Sequence, residues 1–210
     1  PAVFETLLGG GGIDEEGKLI RNKIFTGTGP AQPYLDYALV NLIGYAPKDT
    51  KVDKSLEHAN IKTLSLTNYS WLELPSGLAN FPNLTYLNLH GCDSLQNVDG
   101  LANCTNLTSL NLYGCDSLQN VDGLANLPNL TSLDLRWCET LQNVDGLANL
   151  PNLTSLDLRD CDSLQNVDGL TNCTNLPSLD LGDCKSLQNV DGLVNCTKLT
   201  NLDLGGCDRL

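Results

Sequence analysis

The stretch Leu84-Thr85-Tyr86-Leu87-Asn88-Leu89-His90-Gly91-Cys92 decides the fold of this chain, because its pattern L-x-x-L-x-L-x-x-C returns every 23 residues. The cysteines that close successive copies are Cys92, Cys115, Cys138, Cys161, Cys184 and Cys207. Apolar residues at fixed offsets in a period of about 20 to 50 residues are typical of a solenoid, in which neighbouring coils share one continuous core. The pattern therefore predicts a solenoid that adds one short strand per repeat.

The direction of each side chain follows from the period of a strand. Alternate residues of a strand face opposite sides, so Leu87 and Leu89 point into the core while Asn88 faces out on the concave sheet. The inward row continues through the rest of the repeat, and its next members are Cys92, Leu95, Val98, Leu101 and Cys104. Repeats begin at Ile61, Leu84, Leu107, Leu130, Leu153, Leu176 and Leu199. Residues 61–210 are thus predicted to form six full repeats and one partial repeat, with seven strands.

Residues 1–60 lack the repeat and are predicted to form an N-terminal cap region. Over 33–45, apolar residues recur at three- and four-residue spacing, with Pro33 suited to a first helical turn and Gly44 to a helix end. We expect an amphipathic helix there that covers the apolar edge of the first coil. The last repeat stops at Leu210, midway through the pattern, which favours a fragment of a longer protein.

On these residues the chain resembles the leucine-rich-repeat superfamily over 61–210. Segments 74–84 and 87–95 are similar to the cysteine-type repeats of plant intracellular immune receptors, whereas 121–130 resembles the internalin-like repeats of bacterial surface proteins. The resemblance implies an α/β leucine-rich-repeat solenoid, with short parallel strands on the concave face and loop or short 3-10 return segments on the convex face. Both subgroups imply recognition of a protein by the concave face and no catalysis.

The nine cysteines are interpreted as core residues. In-register positions on neighbouring coils lie about 4.7 to 4.9 Å apart, which is wider than the Cβ separation of a disulfide, about 3.5 to 4.5 Å. A straight row of thiols cannot form a tetrahedral metal site either. We expect a ladder of reduced thiols, which favours an intracellular location and leaves a bacterial surface or secreted protein as the alternative.

The charge of the chain limits its partners. Its net charge is -13 with only 12 lysines and arginines, which argues against nucleic acid, and no apolar run is long enough to insert in a membrane. The two histidines, His58 and His90, occupy unrelated positions, so the sequence predicts no catalytic residues, no cofactor and no metal. The partner is expected to be a protein or peptide, with a basic segment as one option.

An aspartate precedes Gly-Leu in five repeats, at Asp99, Asp122, Asp145, Asp168 and Asp191. We expect each carboxylate to accept backbone N–H groups and so to start a turn or a short helix. A calcium-binding ladder of aspartates is the alternative.

Because the repeats are nearly identical, the positions that vary on the strand face are the candidates for partner contact. The first half of this face carries aromatic residues typical of interface hot spots, and the second half carries stacked aspartates that arginines partly offset. The candidate partner-binding residues are Tyr86, His90, Tyr113, Arg136, Trp137, Arg159, Asp160 and Asp183. The sequence thus predicts a non-enzymatic protein-protein interaction module. A structural or adhesive spacer of a surface or secreted protein, and a substrate-recruiting arm of a larger enzyme or receptor, are the alternatives.

Overall fold

A computed structural model describes residues 62–68, 72–74, 78 and 81–210 of the chain. The expected cap region 1–60 and its helix near 33–45 lie outside these residues. The described part contains one parallel sheet of seven strands in sequence order. The strands are β1 (Thr63–Ser65), β2 (Tyr86–Asn88), β3 (Ser109–Asn111), β4 (Ser132–Asp134), β5 (Ser155–Asp157), β6 (Ser178–Asp180) and β7 (Asn201–Asp203). The solenoid prediction and its seven strands are confirmed.

The strands pair in the register that the repeat dictates. Leu87 of β2 is opposite Leu110 of β3, and Leu133 of β4 is opposite Leu156 of β5. The pairing continues past the strand ends, since the Leu89 N–H donates to the Asn111 carbonyl at 2.8 Å. Equivalent residues of successive repeats therefore stack in straight rows across the sheet.

The core is built almost entirely from the repeated leucines, valines and cysteines. Leu87, Leu89, Leu95 and Val98 are all fully buried, and their equivalents in the next three repeats are buried as well. Burying one such leucine contributes roughly 1.5 to 3 kcal/mol, and no single coil can do so without its neighbours. Stacking of the coils is thus the main source of stability.

The return segments of five described repeats each carry one short 3-10 helix on the convex side. These helices span Asp99–Leu101, Asp122–Leu124, Asp145–Leu147, Asp168–Leu170 and Asp191–Leu193. The expectation that each aspartate starts a short helix is confirmed, but the expectation that its carboxylate caps the helix is wrong. The Asp99 N–H instead donates to the Asn97 side chain at 3.1 Å, and the same bond recurs in the next four repeats. The asparagine two positions earlier can reach this N–H because it precedes the turn.

Five of the six ladder cysteines are buried, which confirms that the ladder belongs to the core. No disulfide joins any of the nine cysteines, all of which lie in the described residues, and eight of them are buried. Each thiol of the ladder also donates to a carbonyl of the preceding coil, as from Cys138 Sγ to the Leu112 oxygen at 3.3 Å. The cysteines are therefore more than small apolar residues, because their S–H groups satisfy backbone carbonyls in the core.

Candidate interaction surface

Three rows of side chains run across the concave side from repeat to repeat. The acid row consists of Asn88, Asn111, Asp134, Asp157, Asp180 and Asp203, the last residue of each strand from β2 to β7. The stacking row lies two residues further along each repeat and consists of His90, Tyr113, Arg136, Arg159, Gly182 and Gly205. The turn row follows directly and consists of Gly91, Gly114, Trp137, Asp160, Asp183 and Gly206.

The acid row fixes the backbone that presents the stacking row. The Asn88 Oδ1 accepts the N–H of His90 at 3.0 Å, and the Asp134 Oδ1 accepts that of Arg136 at 3.1 Å. The same bond forms in each repeat through Gly205. A short side chain that bonds the N–H two residues later is the usual way for Asn and Asp to shape a turn. The backbone of every stacking-row residue is consequently held by the same hydrogen bond.

The first three members of the stacking row lie on one another. The His90 and Tyr113 rings are parallel within 4°, with centroids 4.8 Å apart. The Arg136 guanidinium carbon lies 5.1 Å from the centre of the same Tyr113 ring. Stacked rings and cation–π contacts each contribute roughly 0.5 to 1.5 kcal/mol. The Tyr113 ring is thus held between two flat polar groups.

Arginines neutralise part of the acid row. The Arg136 Nε donates to Asp134 Oδ1 at 2.9 Å and Nη2 to Oδ2 at 2.6 Å, while Nε also lies 3.5 Å from the Asp157 carboxylate. Arg159 forms an ion pair with Asp180 of the next repeat. The Arg159 hydrogen bond lowers the pKa of Asp180, whereas burial is the main cause that raises the pKa of Asp157. Arg136 therefore binds carboxylates of its own repeat and of the next one, and Arg159 binds a carboxylate of the next repeat.

The turn row places three large or charged residues in a conformation that favours glycine. Trp137, Asp160 and Asp183 have φ of 61°, 59° and 60°, the left-handed region in which Gly91 and Gly114 of the sister repeats also lie. A non-glycine residue there costs about 1 to 2 kcal/mol. Aspartate tolerates the region and is common in it, whereas a bulky aromatic residue is an outlier. Trp137 is also 46% exposed, so about half of this large apolar residue is open to solvent.

The predicted partner-binding residues fall into two of these rows. His90, Tyr113, Arg136 and Arg159 are consecutive members of the stacking row, and the turn row holds the next three, Trp137, Asp160 and Asp183. Tyr86 stands apart, since it is the first residue of β2, and the equivalent residues of the next four strands are serines. Sequence reasoning noticed the aspartates but missed their hydrogen bonds to the turns. It also missed the glycines of the turn row, although their recurrence at one offset was visible in the repeat.

The described residues contain neither a membrane-spanning helix nor a cluster of metal ligands. That part of the chain holds no helix long and apolar enough to cross a membrane. In the same residues, no three histidine, cysteine, aspartate or glutamate side chains converge closely enough to hold a metal ion.

Family models for leucine-rich repeats match two parts of the chain. The model described as the leucine-rich-repeat domain of the endo-beta-N-acetylglucosaminidase EndoS matches residues 50–145, and a general leucine-rich-repeat model matches residues 149–170. A search of curated proteins found no significant match.

Solved structures with the same architecture come from several sources. The leucine-rich-repeat domain of the type III effector XopL is 28% identical, with a TM-score of 0.56 over 72% of this chain and 55% of that one. This chain thus spans about half the length of that domain's chain. TLR13, solved as a complex with ssRNA13, is 23% identical, with a TM-score of 0.55 over 70% of this chain and 22% of that one.

Internalin C2 from Listeria monocytogenes is 22% identical, with a TM-score of 0.45 over 78% of this chain and 91% of that one. The repeat pattern, the seven-stranded parallel sheet and the two family matches agree on one architecture. The chain belongs to the leucine-rich-repeat proteins.

Proposed function

We propose that this protein is a non-enzymatic binding module that recognises a protein or peptide on its concave side, with Trp137 and Tyr113 as anchors. The leucine-rich-repeat fold is typical of protein-protein interaction modules. The observation that carries the proposal is the exposed indole of Trp137 on a left-handed residue where Gly91 and Gly114 stand in sister repeats.

Backbone strain supports a role in recognition. Replacing glycine by tryptophan at this position adds the strain of a left-handed backbone, and only about half of the side chain is covered to offset it. Such strain is found at binding and active sites, where another benefit outweighs it. An aromatic anchor for a partner is the benefit that an exposed tryptophan provides.

The neighbouring residues suit the same role. Tyr113 is pre-oriented by His90 on one face and Arg136 on the other, so binding would immobilise few additional rotamers. Beyond Trp137, the acid row and turn row carry Asp157, Asp160 and other carboxylates that would steer a basic segment into register.

A protein partner fits this surface better than RNA. One structural neighbour was solved with single-stranded RNA, but this chain has a net charge of -13 and its concave rows carry stacked carboxylates. Phosphate groups need clustered Lys and Arg, and the two arginines of the stacking row are already paired with aspartates.

A random peptide library displayed on phage tests the proposal. Peptides are selected on the wild-type protein, and their binding to Trp137→Gly is then measured. This variant carries the glycine that sister repeats have at the same position. The matched control is Val194→Ser, which removes an apolar side chain that is 77% exposed after the last convex 3-10 helix. We expect the selected peptides to bind wild type and Val194→Ser but not to bind Trp137→Gly. Peptides that bind all three proteins equally would contradict the proposal.

The match to the EndoS domain supports a second candidate, in which the solenoid is the recruiting arm of a larger enzyme. The test is to isolate the natural protein with an antibody to the solenoid and to identify its tryptic peptides. Peptides from a linked catalytic domain would favour this candidate, and their absence from a fully covered sequence would reject it.

A further inference from the structure

A groove lies on the concave side where β5, β6 and β7 run next to each other. Its volume is about 610 Å³, and it is lined by small hydroxyl side chains and by acid-row carboxylates. The polar lining includes Ser155, Ser178, Asp157, Asp180 and Asp203. No cationic side chain lines it. The groove therefore presents hydrogen-bond acceptors and negative charge on an uncovered sheet face.

The chain itself binds guanidinium groups along the upstream part of the same row. Arg136 donates from Nε and Nη2 to the two carboxylate oxygens of Asp134, whereas Arg159 donates from the same two atoms to one oxygen, Asp180 Oδ2. A fork of this kind matches a carboxylate in a way that a lysine ammonium does not. The acid row thus binds a guanidinium group at Asp134 and another at Asp180, two repeats further along.

Arg159 is the last arginine of the stacking row, whereas the acid row continues to Asp203. Arginines reach the carboxylate of their own repeat or of the next one, so the partner of Asp203 would come from stacking-row position 182 or 205. Both positions are glycine. Within the described residues, no cation forms an ion pair with Asp203. From β4 to β7 the acid row has four aspartates against two arginines, which leaves two negative charges.

The Asp203 carboxylate is nevertheless oriented as the others are. Its Oδ1 accepts the Gly205 N–H at 2.8 Å, just as the Asp134 Oδ1 accepts the Arg136 N–H at 3.1 Å. Asp203 is exposed, and no described side chain donates a hydrogen bond to its second oxygen. Such pre-orientation lowers the cost of binding a planar, forked donor.

We infer that the groove over β5 to β7 is a subsite for an arginine side chain of the partner, which forms a forked ion pair with Asp203. The inference rests on the proposed function and names the chemistry of the partner at that end of the face. Charge complementarity and the in-chain use of arginine at equivalent positions argue for a guanidinium over other cations. The serines allow close approach, since their side chains are short.

The probe is a heptapeptide with two arginines among glycines and serines, compared with peptides in which lysine or citrulline replaces arginine. It contains no aromatic residue, so it reports this subsite without the Trp137 anchor. Binding to the intact chain is followed by the amide resonances of Gly182 and Gly205, whose N–H groups donate to Asp180 and Asp203. We expect saturable shifts with arginine, several-fold weaker binding with lysine, and none with citrulline.

Two variants make the test specific. Asp203→Asn should lower the affinity for the arginine peptide by about tenfold, since it removes the negative charge that pairs with the guanidinium group. Gly205→Arg should abolish binding, because the new arginine can hold Asp203 as Arg136 holds Asp134. Gly205→Gln, of similar length but neutral, should retain binding within about twofold, on the scale of an uncharged surface change.

Equal affinity for the arginine and lysine peptides, or equal binding to wild type and Asp203→Asn, would overturn the inference. If phage-selected peptides still depend on Trp137 in that case, only the arginine subsite fails. If the arginine peptide binds as expected while selected peptides ignore Trp137, the proposed anchor fails and the subsite stands.

Discussion

The His90 imidazole lies flat against the Tyr113 ring, with centroids 4.8 Å apart and planes within 4°. The two residues occupy the same position of consecutive repeats, so their contact depends on the register of β2 and β3. The opposite side of Tyr113 carries the Arg136 guanidinium. This arrangement makes the tyrosine the centre of the candidate surface.

Replacing Tyr113 by alanine should uncover His90 without unfolding the chain. The ring current of Tyr113 shields the His90 ring protons, so their NMR signals should move downfield in Tyr113→Ala, and stability should fall by about 1 kcal/mol. Tyr86→Ala is the control, because Tyr86 lies at the other end of β2. Unchanged His90 signals in Tyr113→Ala would mean that the two rings are not stacked in solution.

Two substitutions of Trp137 should reveal the backbone strain at this position through their effects on stability. Trp137→Gly should be about 1 kcal/mol more stable than Trp137→Ala, which reverses the usual destabilising effect of glycine, because only glycine adopts a φ of 61° freely. Chemical denaturation of both variants measures the difference. If Trp137→Ala were the more stable of the two, the residue would not be left-handed in solution.

The close approach of neighbouring coils should make one set of glycines irreplaceable. A Cβ added at Gly169 would overlap the backbone carbonyl of Val144, and backbone cannot move aside as a side chain can. We expect Gly169→Ala to lower the free energy of unfolding by about 3 kcal/mol.

Gly182→Ala is the matched control for that substitution. Its Cβ would lie 3.1 Å from an Asp180 side-chain oxygen, and sister repeats carry His, Tyr and Arg at this position. Gly182→Ala should change the free energy of unfolding by no more than about 0.5 kcal/mol. Similar losses in the two variants would show that the coils are not packed as closely as described.

The thiols should resist alkylation while the protein is folded. Burial raises the pKa of Cys104 to about 11 and that of Cys184 to about 12. Only the thiolate reacts, so at pH 8 a thiol of pKa about 11 is roughly one part in a thousand ionised. The half-buried Cys207 should react first, and denaturation should expose all nine cysteines. Timed labelling followed by peptide mass spectrometry measures the order, and rapid labelling of Cys138 in the native protein would contradict it.

The sequence was sufficient for the repeat, the strands and the inward row, because a fixed period links each leucine such as Leu87 to an equivalent in every coil. It was insufficient for details that depend on neighbours in space. The capping role of Asn97 in place of Asp99 requires the path of the turn, and the stacking of His90 on Tyr113 requires the distance between coils. The strain at Trp137 was readable in principle, since Gly91 and Gly114 mark the left-handed position.

A peptide titration tests whether Trp137 anchors the partner. The dissociation constant of a phage-selected peptide is measured for wild type and for Trp137→Gly, with Val194→Ser as the control and denaturation curves to verify folding. Loss of a hot-spot aromatic typically costs 2 kcal/mol or more, so we expect the peptide to bind Trp137→Gly at least about thirtyfold more weakly, with Val194→Ser unchanged. Equal dissociation constants for wild type and a folded Trp137→Gly would contradict the account.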